Sequence, residues 1–93
     1  MIYDLIKTSS KEEFVKAIRY FEFIGARNDI DLNEKDFDSF SILVIDSMNR
    51  INAFTESACT YDSYNEISIP ARFLNRKIYT KEEAMEEFNC MII

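Results

Sequence analysis

The segment 14–24 constrains the fold of this chain most, because its apolar residues recur at helical spacing. Ser9 or Ser10, with a glutamate three residues later, can form a capping box that begins a helix. Gly25, the only glycine, stands where a helix ends with positive φ. The pattern therefore predicts one long amphipathic helix, whose apolar positions are Phe14, Ala17, Ile18, Phe21 and Ile24.

Four other short segments are rich in apolar and β-branched residues, which is typical of strands. Residues 47–50 can turn the chain, so the second and third predicted strands form a hairpin, and the fourth ends at Pro70 as an edge strand does. The polar segments 26–39 and 56–65 are predicted to be loops, and Thr80 begins a second, short helix. The predicted strands span residues 2–7, 40–46, 51–55 and 66–69.

The order β-α-β-β-β-α predicts one α+β domain over residues 1–93. Its sheet is small and mostly antiparallel, with the long helix packed on one face. We expect the other face to be partly open to solvent or to a partner. A hydrophobic content of 47% supports one core in a chain of 93 residues.

The net charge of −6 disfavours direct binding to nucleic acid or to an anionic membrane. No apolar stretch approaches the roughly 20 residues of a spanning helix. The first residues lack the basic start and the cleavage site of a secretory signal. Cys59 and Cys90 could in principle pair, but their spacing does not suggest a disulfide framework. We therefore expect reduced thiols and a cytoplasmic protein, in the host cytoplasm if it is viral.

The residue types argue against catalysis. The chain has no histidine, which excludes Ser-His-Asp triads, Cys-His dyads and histidine metal sites. Two separated cysteines cannot form a four-ligand zinc site. Asp46 ends a predicted strand, where an acid usually caps a turn. We therefore predict a protein that is not an enzyme and needs no cofactor.

An acidic loop, NDIDLNEKDFDSF, begins like a calcium-binding loop. Asp29, Asp31 and Asn33 alternate as the first three EF-hand ligands do. However, Glu34 replaces the glycine at the sixth position, and Phe40 replaces the closing glutamate at the twelfth. We predict no metal site of this type, and only a weak cation site remains open. Its ligands would be Asp29, Asp31, Asp36 and Asp38.

The favoured function is binding to another protein. Tyrosines are frequent anchors at interfaces, and Tyr61 and Tyr64 lie in one polar loop. We predict that they act with Phe54 as anchors, while the acidic loop attracts a basic partner. The predicted steering residues are Asp29, Asp31, Asp36 and Asp38.

Two other functions and one assembly state stay open. A basic segment could bind a nucleotide, with a tyrosine stacking on the base. Alternatively, the acidic loop could mimic nucleic acid together with four glutamates near the end of the chain, Glu82, Glu83, Glu86 and Glu87. Self-association would cover an open sheet face or the apolar end of the chain. The residues of the nucleotide alternative are Arg72, Arg76, Lys77 and Tyr79.

The run SSKEEFVKAIRYFEFIGARND resembles the opening of small accessory proteins that tailed phages encode. The later SILVID and NRINAFT segments are similar to their hairpins in kind. The resemblance implies a small viral protein that binds and inhibits or modulates a host protein. A nucleic-acid-binding or defence protein is the expected kind of target. The resemblance assigns no functional residue.

Overall fold

One helix packs on a four-stranded sheet in the computed structural model, which describes residues 3–58 and 63–71. Two 3-10 helices lie in the connections. In chain order the elements are β1 (Tyr3–Lys7), α1 (Lys11–Phe23), the first 3-10 helix (Glu34–Asp38), β2 (Ile42–Ile45), β3 (Ile51–Phe54), the second 3-10 helix (Glu56–Ala58) and β4 (Tyr64–Glu66).

The strand order across the sheet is β3-β2-β1-β4. β2 pairs antiparallel with both β1 and β3, whereas β4 pairs parallel with β1. The predicted α+β class, the hairpin and the mostly antiparallel sheet are therefore confirmed. The helix predicted to begin at Thr80 lies outside the described residues.

Ser10 precedes α1 directly, and its hydroxyl accepts a hydrogen bond from the Glu13 N–H at 3.1 Å. Ser9 donates its hydroxyl to the Glu13 carboxylate at 3.1 Å. Ser10 is thus the N-cap and Ser9 supports the first turn. The helix ends as predicted, because Gly25 takes a φ of +105°.

A main core fills the space between α1 and one face of the sheet, the helix face. From α1 it receives Phe14, Ala17, Ile18 and Phe21, all at most 1% exposed. The strands β1, β2 and β3 contribute alternate positions to it, because successive strand side chains point to opposite faces. The sheet residues in this core are Ile6, Leu43 and Ile51.

The opposite face of the sheet, the second face, is closed at its centre. Leu5, Ile42 and Val44 form a second buried cluster there, and they are 0%, 1% and 2% exposed. Tyr3 and Phe54 are half-buried at its margins. The second face is therefore closed at these central positions and partly open at its margins.

Two connections differ from the sequence prediction. Residues 26–39 contain the first 3-10 helix, since the Asn33 side chain accepts from Lys35 N–H and the Asp36 carboxylate accepts from Asn33 N–H. Residues 56–65 contain the second 3-10 helix and the start of β4. Short 3-10 helices held by polar caps produce no apolar period in the sequence, so the sequence pattern does not predict them.

The fourth strand lies at Tyr64–Glu66 rather than at 66–69. The Tyr64 ring packs against the Tyr3 ring, with 5.9 Å between centroids, and this contact accompanies the parallel pairing. Ile67 still donates its N–H to the Leu5 carbonyl at 2.8 Å. Ile67 and Ile69 both pack on the main core. This packing explains why apolar residues alternate at these positions although β4 ends at Glu66.

Candidate functional site

The end of α1 meets the β2–β3 turn at one end of the sheet. The Gly25 carbonyl accepts a 2.7 Å hydrogen bond from the Asn49 side-chain amide. Arg27 donates its N–H to the Asn49 carbonyl at 2.8 Å, and Ile51 donates to the Arg27 carbonyl at 2.9 Å. Asn49 has a φ of +61°, a conformation that asparagine tolerates better than most residues. These bonds fix the segment that follows α1 against the turn.

Three large apolar side chains are exposed at this end of the molecule, and we call them the apolar tip. They are Ile24, Ile30 and Met48, which are 43%, 60% and 61% exposed. Ile24 immediately precedes Gly25, and Met48 immediately precedes Asn49, so the 2.7 Å bond between those neighbours places the two residues at the same end of the molecule.

The side chain of Arg27 lies between the turn that carries Met48 and the segment that carries Ile30. Its guanidinium donates to the Met48 carbonyl at 3.3 Å, and it pairs with the Asp29 carboxylate at 3.6 Å. Ile30 follows Asp29 directly in the chain. The Arg27 side chain therefore links the segment that carries Ile30 to the turn that carries Met48.

The turn that carries Met48 is organised by one carboxylate, that of Asp46. It accepts hydrogen bonds from the backbone N–H groups of Met48 and Arg50 at 2.9 and 3.0 Å. It also accepts from the Asn52 amide at 2.8 Å and from the Arg50 guanidinium at 3.3 Å. Asp46 is thus a turn-capping residue, as its position at a strand end indicates.

These contacts lower the pKa of Asp46 below its ordinary value. The hydrogen bond from the Arg50 N–H has the largest effect, and burial opposes it by disfavouring the charged form. The Asn52 amide, the Met48 N–H and the Arg50 charge lower the pKa further. The ionised carboxylate is therefore the form that the folded turn favours.

We expect Asp46→Asn to remove a pH-dependent part of the stability. Because the folded pKa lies below the unfolded one, the carboxylate stabilises the fold above about pH 4, and this stabilisation is lost as pH falls through the folded pKa. At pH 7 the free energy of unfolding of the variant should be about 1–2 kcal/mol lower than that of wild type. Urea unfolding from pH 7 to pH 2 should show the two proteins converging in acid.

Asp38→Asn is the matched control, because Asp38 makes an exposed ion pair with Lys11 at 3.7 Å. This pair should contribute little, so the control should follow wild type across the pH range. A constant difference between wild type and Asp46→Asn at every pH would contradict the assigned role of the ionised carboxylate.

The acidic loop is divided between the two ends of the molecule. Asp29 and Asp31 lie beside the apolar tip, whereas Asp36 caps the first 3-10 helix and Asp38 pairs with Lys11 at the start of α1. Among residues 3–58 and 63–71, no group of three acidic or cysteine side chains could hold a metal ion. The four aspartates therefore do not converge on a cation site.

Asp31 differs from the other carboxylates near the apolar tip. Its backbone has a φ of +54° and is held on both sides. Its N–H donates to the Asn28 carbonyl at 3.3 Å, and its carbonyl accepts from the Asn33 side chain at 3.1 Å. Within the described part of the chain, its carboxylate has no hydrogen bond or ion pair.

The two described members of the predicted aromatic anchor lie far apart. Phe54 aligns through Ile42 with Lys7 of β1, while Tyr64 aligns with Tyr3 at the other end of β1. They are separated by three strand spacings, or about 14 Å, and by about 13 Å along the strands. Both are half-buried on the second face, and the structure does not bring these two aromatic side chains together.

The remaining predicted site residues lie outside the described residues. This applies to Tyr61 of the aromatic anchor and to the whole nucleotide-binding set, so both assignments stay predictions. The nucleotide-binding set is Arg72, Arg76, Lys77 and Tyr79.

Sequence reasoning missed the apolar tip, although part of its signal was present. Ile24 fits the helical period, which predicts that it belongs to the apolar stripe, but it is the C-cap and is exposed. Ile30 and Met48 are isolated apolar residues in polar segments, which are common on protein surfaces. An apolar residue inside a predicted turn and another inside an acidic loop are the signals that could have indicated it.

Comparisons of the chain with protein-family models, with curated proteins and with solved structures found no significant match. In the described residues, no helix is long and apolar enough to cross a membrane. The fold and the site together define an α+β domain with an exposed apolar tip beside an acidic loop.

Proposed function

We propose that this chain is a non-enzymatic protein-binding module that contacts its partner through the apolar tip. The observation that carries the proposal is the exposure of Ile24, Ile30 and Met48, the large apolar residues most exposed in the described part of the chain. They stand on segments that the side chains of Asn49 and Arg27 link to one another. Apolar surface exposed at one place is a feature of interaction sites.

The ordered backbone around Met48 favours binding through the apolar tip. Hydrogen bonds to Asn49 and the carboxylate of Asp46 fix the backbone on both sides of Met48. A backbone that is already ordered loses less conformational entropy on association. Methionine itself is unbranched and polarizable, so it adapts to the shape of a partner.

The mode of action that follows is direct contact. Such a module inhibits or modulates its partner by occupying a surface that the partner needs. The resemblance to phage accessory proteins supports a host protein as the partner. The charge of −6 favours a partner surface that is basic.

We expect Met48→Asp to weaken partner binding at least tenfold, because a charge on the apolar tip must be desolvated in the complex. The measurement is affinity capture from host lysate with wild type and variant in parallel, followed by titration of each captured protein. Ala58→Asp adds the same charge in the second 3-10 helix, which follows the far end of β3, and should retain the partners.

Tyr64→Ala separates this proposal from the aromatic anchor. Partners that Met48→Asp retains and Tyr64→Ala loses would place the interface on the second face and contradict the role of the apolar tip. Circular dichroism of each variant shows whether a lost partner reflects lost folding.

A further inference from the structure

We infer that the partner segment carries a lysine or arginine next to its apolar side chains, and that this cation pairs with Asp31. The inference rests on the proposed function and specifies the chemistry of the partner. It concerns a protein segment, because an anionic membrane or nucleic acid would be repelled by the same carboxylate.

Among the described residues, the two arginines near the apolar tip pair with carboxylates other than that of Asp31. Arg27 pairs with Asp29 at 3.6 Å, and the Arg50 guanidinium contacts the Asp46 carboxylate at 3.3 Å. Each arginine therefore has a carboxylate of its own. The carboxylate of Asp31 remains, and in the described residues it has neither an ion pair nor a hydrogen bond.

The position of Asp31 suits a cation that accompanies an apolar group. It follows Ile30 directly in the chain, and Ile30 is 60% exposed. Its left-handed backbone is held by hydrogen bonds from both sides, at 3.3 Å to Asn28 and 3.1 Å from Asn33. A partner can thus cover Ile30 with an apolar side chain while a neighbouring lysine or arginine reaches the carboxylate.

A second copy of this chain fits the site less well. Two copies that met through the apolar tip would bring two Asp31 carboxylates close together, and like charges repel. The net charge of −6 on each copy adds to that repulsion. Charge complementarity therefore favours a basic partner over self-association.

The experiment is selection from a displayed library of random 12-residue peptides on wild type, Asp31→Asn, Asp38→Asn and Met48→Asp. Asparagine accepts the left-handed backbone of position 31, so the first variant removes charge without changing the turn. Asp38→Asn removes the same charge near the start of α1, where Asp38 pairs with Lys11.

We expect wild type and Asp38→Asn to enrich peptides with a lysine or arginine within two residues of an aliphatic or aromatic residue. Asp31→Asn should enrich apolar peptides without that basic residue. A selected basic peptide should bind Asp31→Asn about two- to fivefold more weakly than wild type in 150 mM salt, as expected for an exposed ion pair.

The two proposals fail in different ways. Peptides that require Met48 but show no preference for a basic residue would overturn the inference and leave the proposed function standing. Peptides that bind Met48→Asp as well as wild type would overturn both. If wild type sediments as a dimer and Met48→Asp sediments as a monomer, the inference of a basic partner is overturned. The apolar tip then binds a second copy of the chain.

Discussion

Replacing Phe21 with alanine should lower the free energy of unfolding by about 3–5 kcal/mol. Phe21 is 0% exposed and lies in the main core with Ile18 of α1 and Leu43 of the sheet. Its truncation removes apolar contacts from both layers, and the cavity adds to the lost transfer free energy. Since small domains have a total stability of about 5–15 kcal/mol, much of the folded state should be lost.

Urea unfolding followed by far-UV circular dichroism measures the effect of this substitution. Glu12→Ala is the matched control on the same helix, since the Glu12 side chain is 81% exposed and pairs with Lys16 at 3.3 Å. The control should change the free energy by about 0.3–0.5 kcal/mol. Equal unfolding midpoints for Phe21→Ala and Glu12→Ala would contradict the packing of α1 on the sheet.

The helix and the hairpin could be predicted because their signals are local. The apolar period of α1, the Ser10 cap and Gly25 lie within one continuous segment. In the hairpin, residue Asp46 organises its own turn through hydrogen bonds to residues up to six positions ahead. Such interactions leave a pattern that single-sequence reasoning detects.

The parallel pairing of β4 could not be predicted in the same way. β4 joins β1 across a separation of about sixty residues, with Tyr3 opposite Tyr64. Nothing local in YNE distinguishes a parallel partner from an antiparallel one. The alternation of Ile67 and Ile69 suggested a strand there, but it serves the main core instead.

The apolar tip also depends on contacts between distant segments. The segments that carry Ile24 and Met48 are joined by the hydrogen bond from Asn49 to Gly25, across 24 positions of the chain. The sequence identified the negative charge of Asp29 and Asp31, but not the apolar residues beside them. The charged residues of the candidate site can thus be predicted from the sequence, whereas the exposed apolar residues beside them depend on tertiary contacts.

Replacing Leu5 with alanine should lower the free energy of unfolding by about 2–5 kcal/mol, as for other fully buried leucines. Leu5 is 0% exposed on the second face, where Val44 lies opposite it on β2. If the second face were open, the same substitution would remove little buried area and change stability by less than about 1 kcal/mol. The size of the loss therefore measures whether this face is a true core.

Ile30→Ala is the matched control, because it also shortens an aliphatic side chain, but at a position that is 60% exposed. It should change the free energy of unfolding by no more than about 0.5 kcal/mol. Thermal and urea unfolding of both variants should give a large difference between them. Losses of equal size would mean that the second face is no better covered than the apolar tip, and the two-core description of the fold would then be wrong.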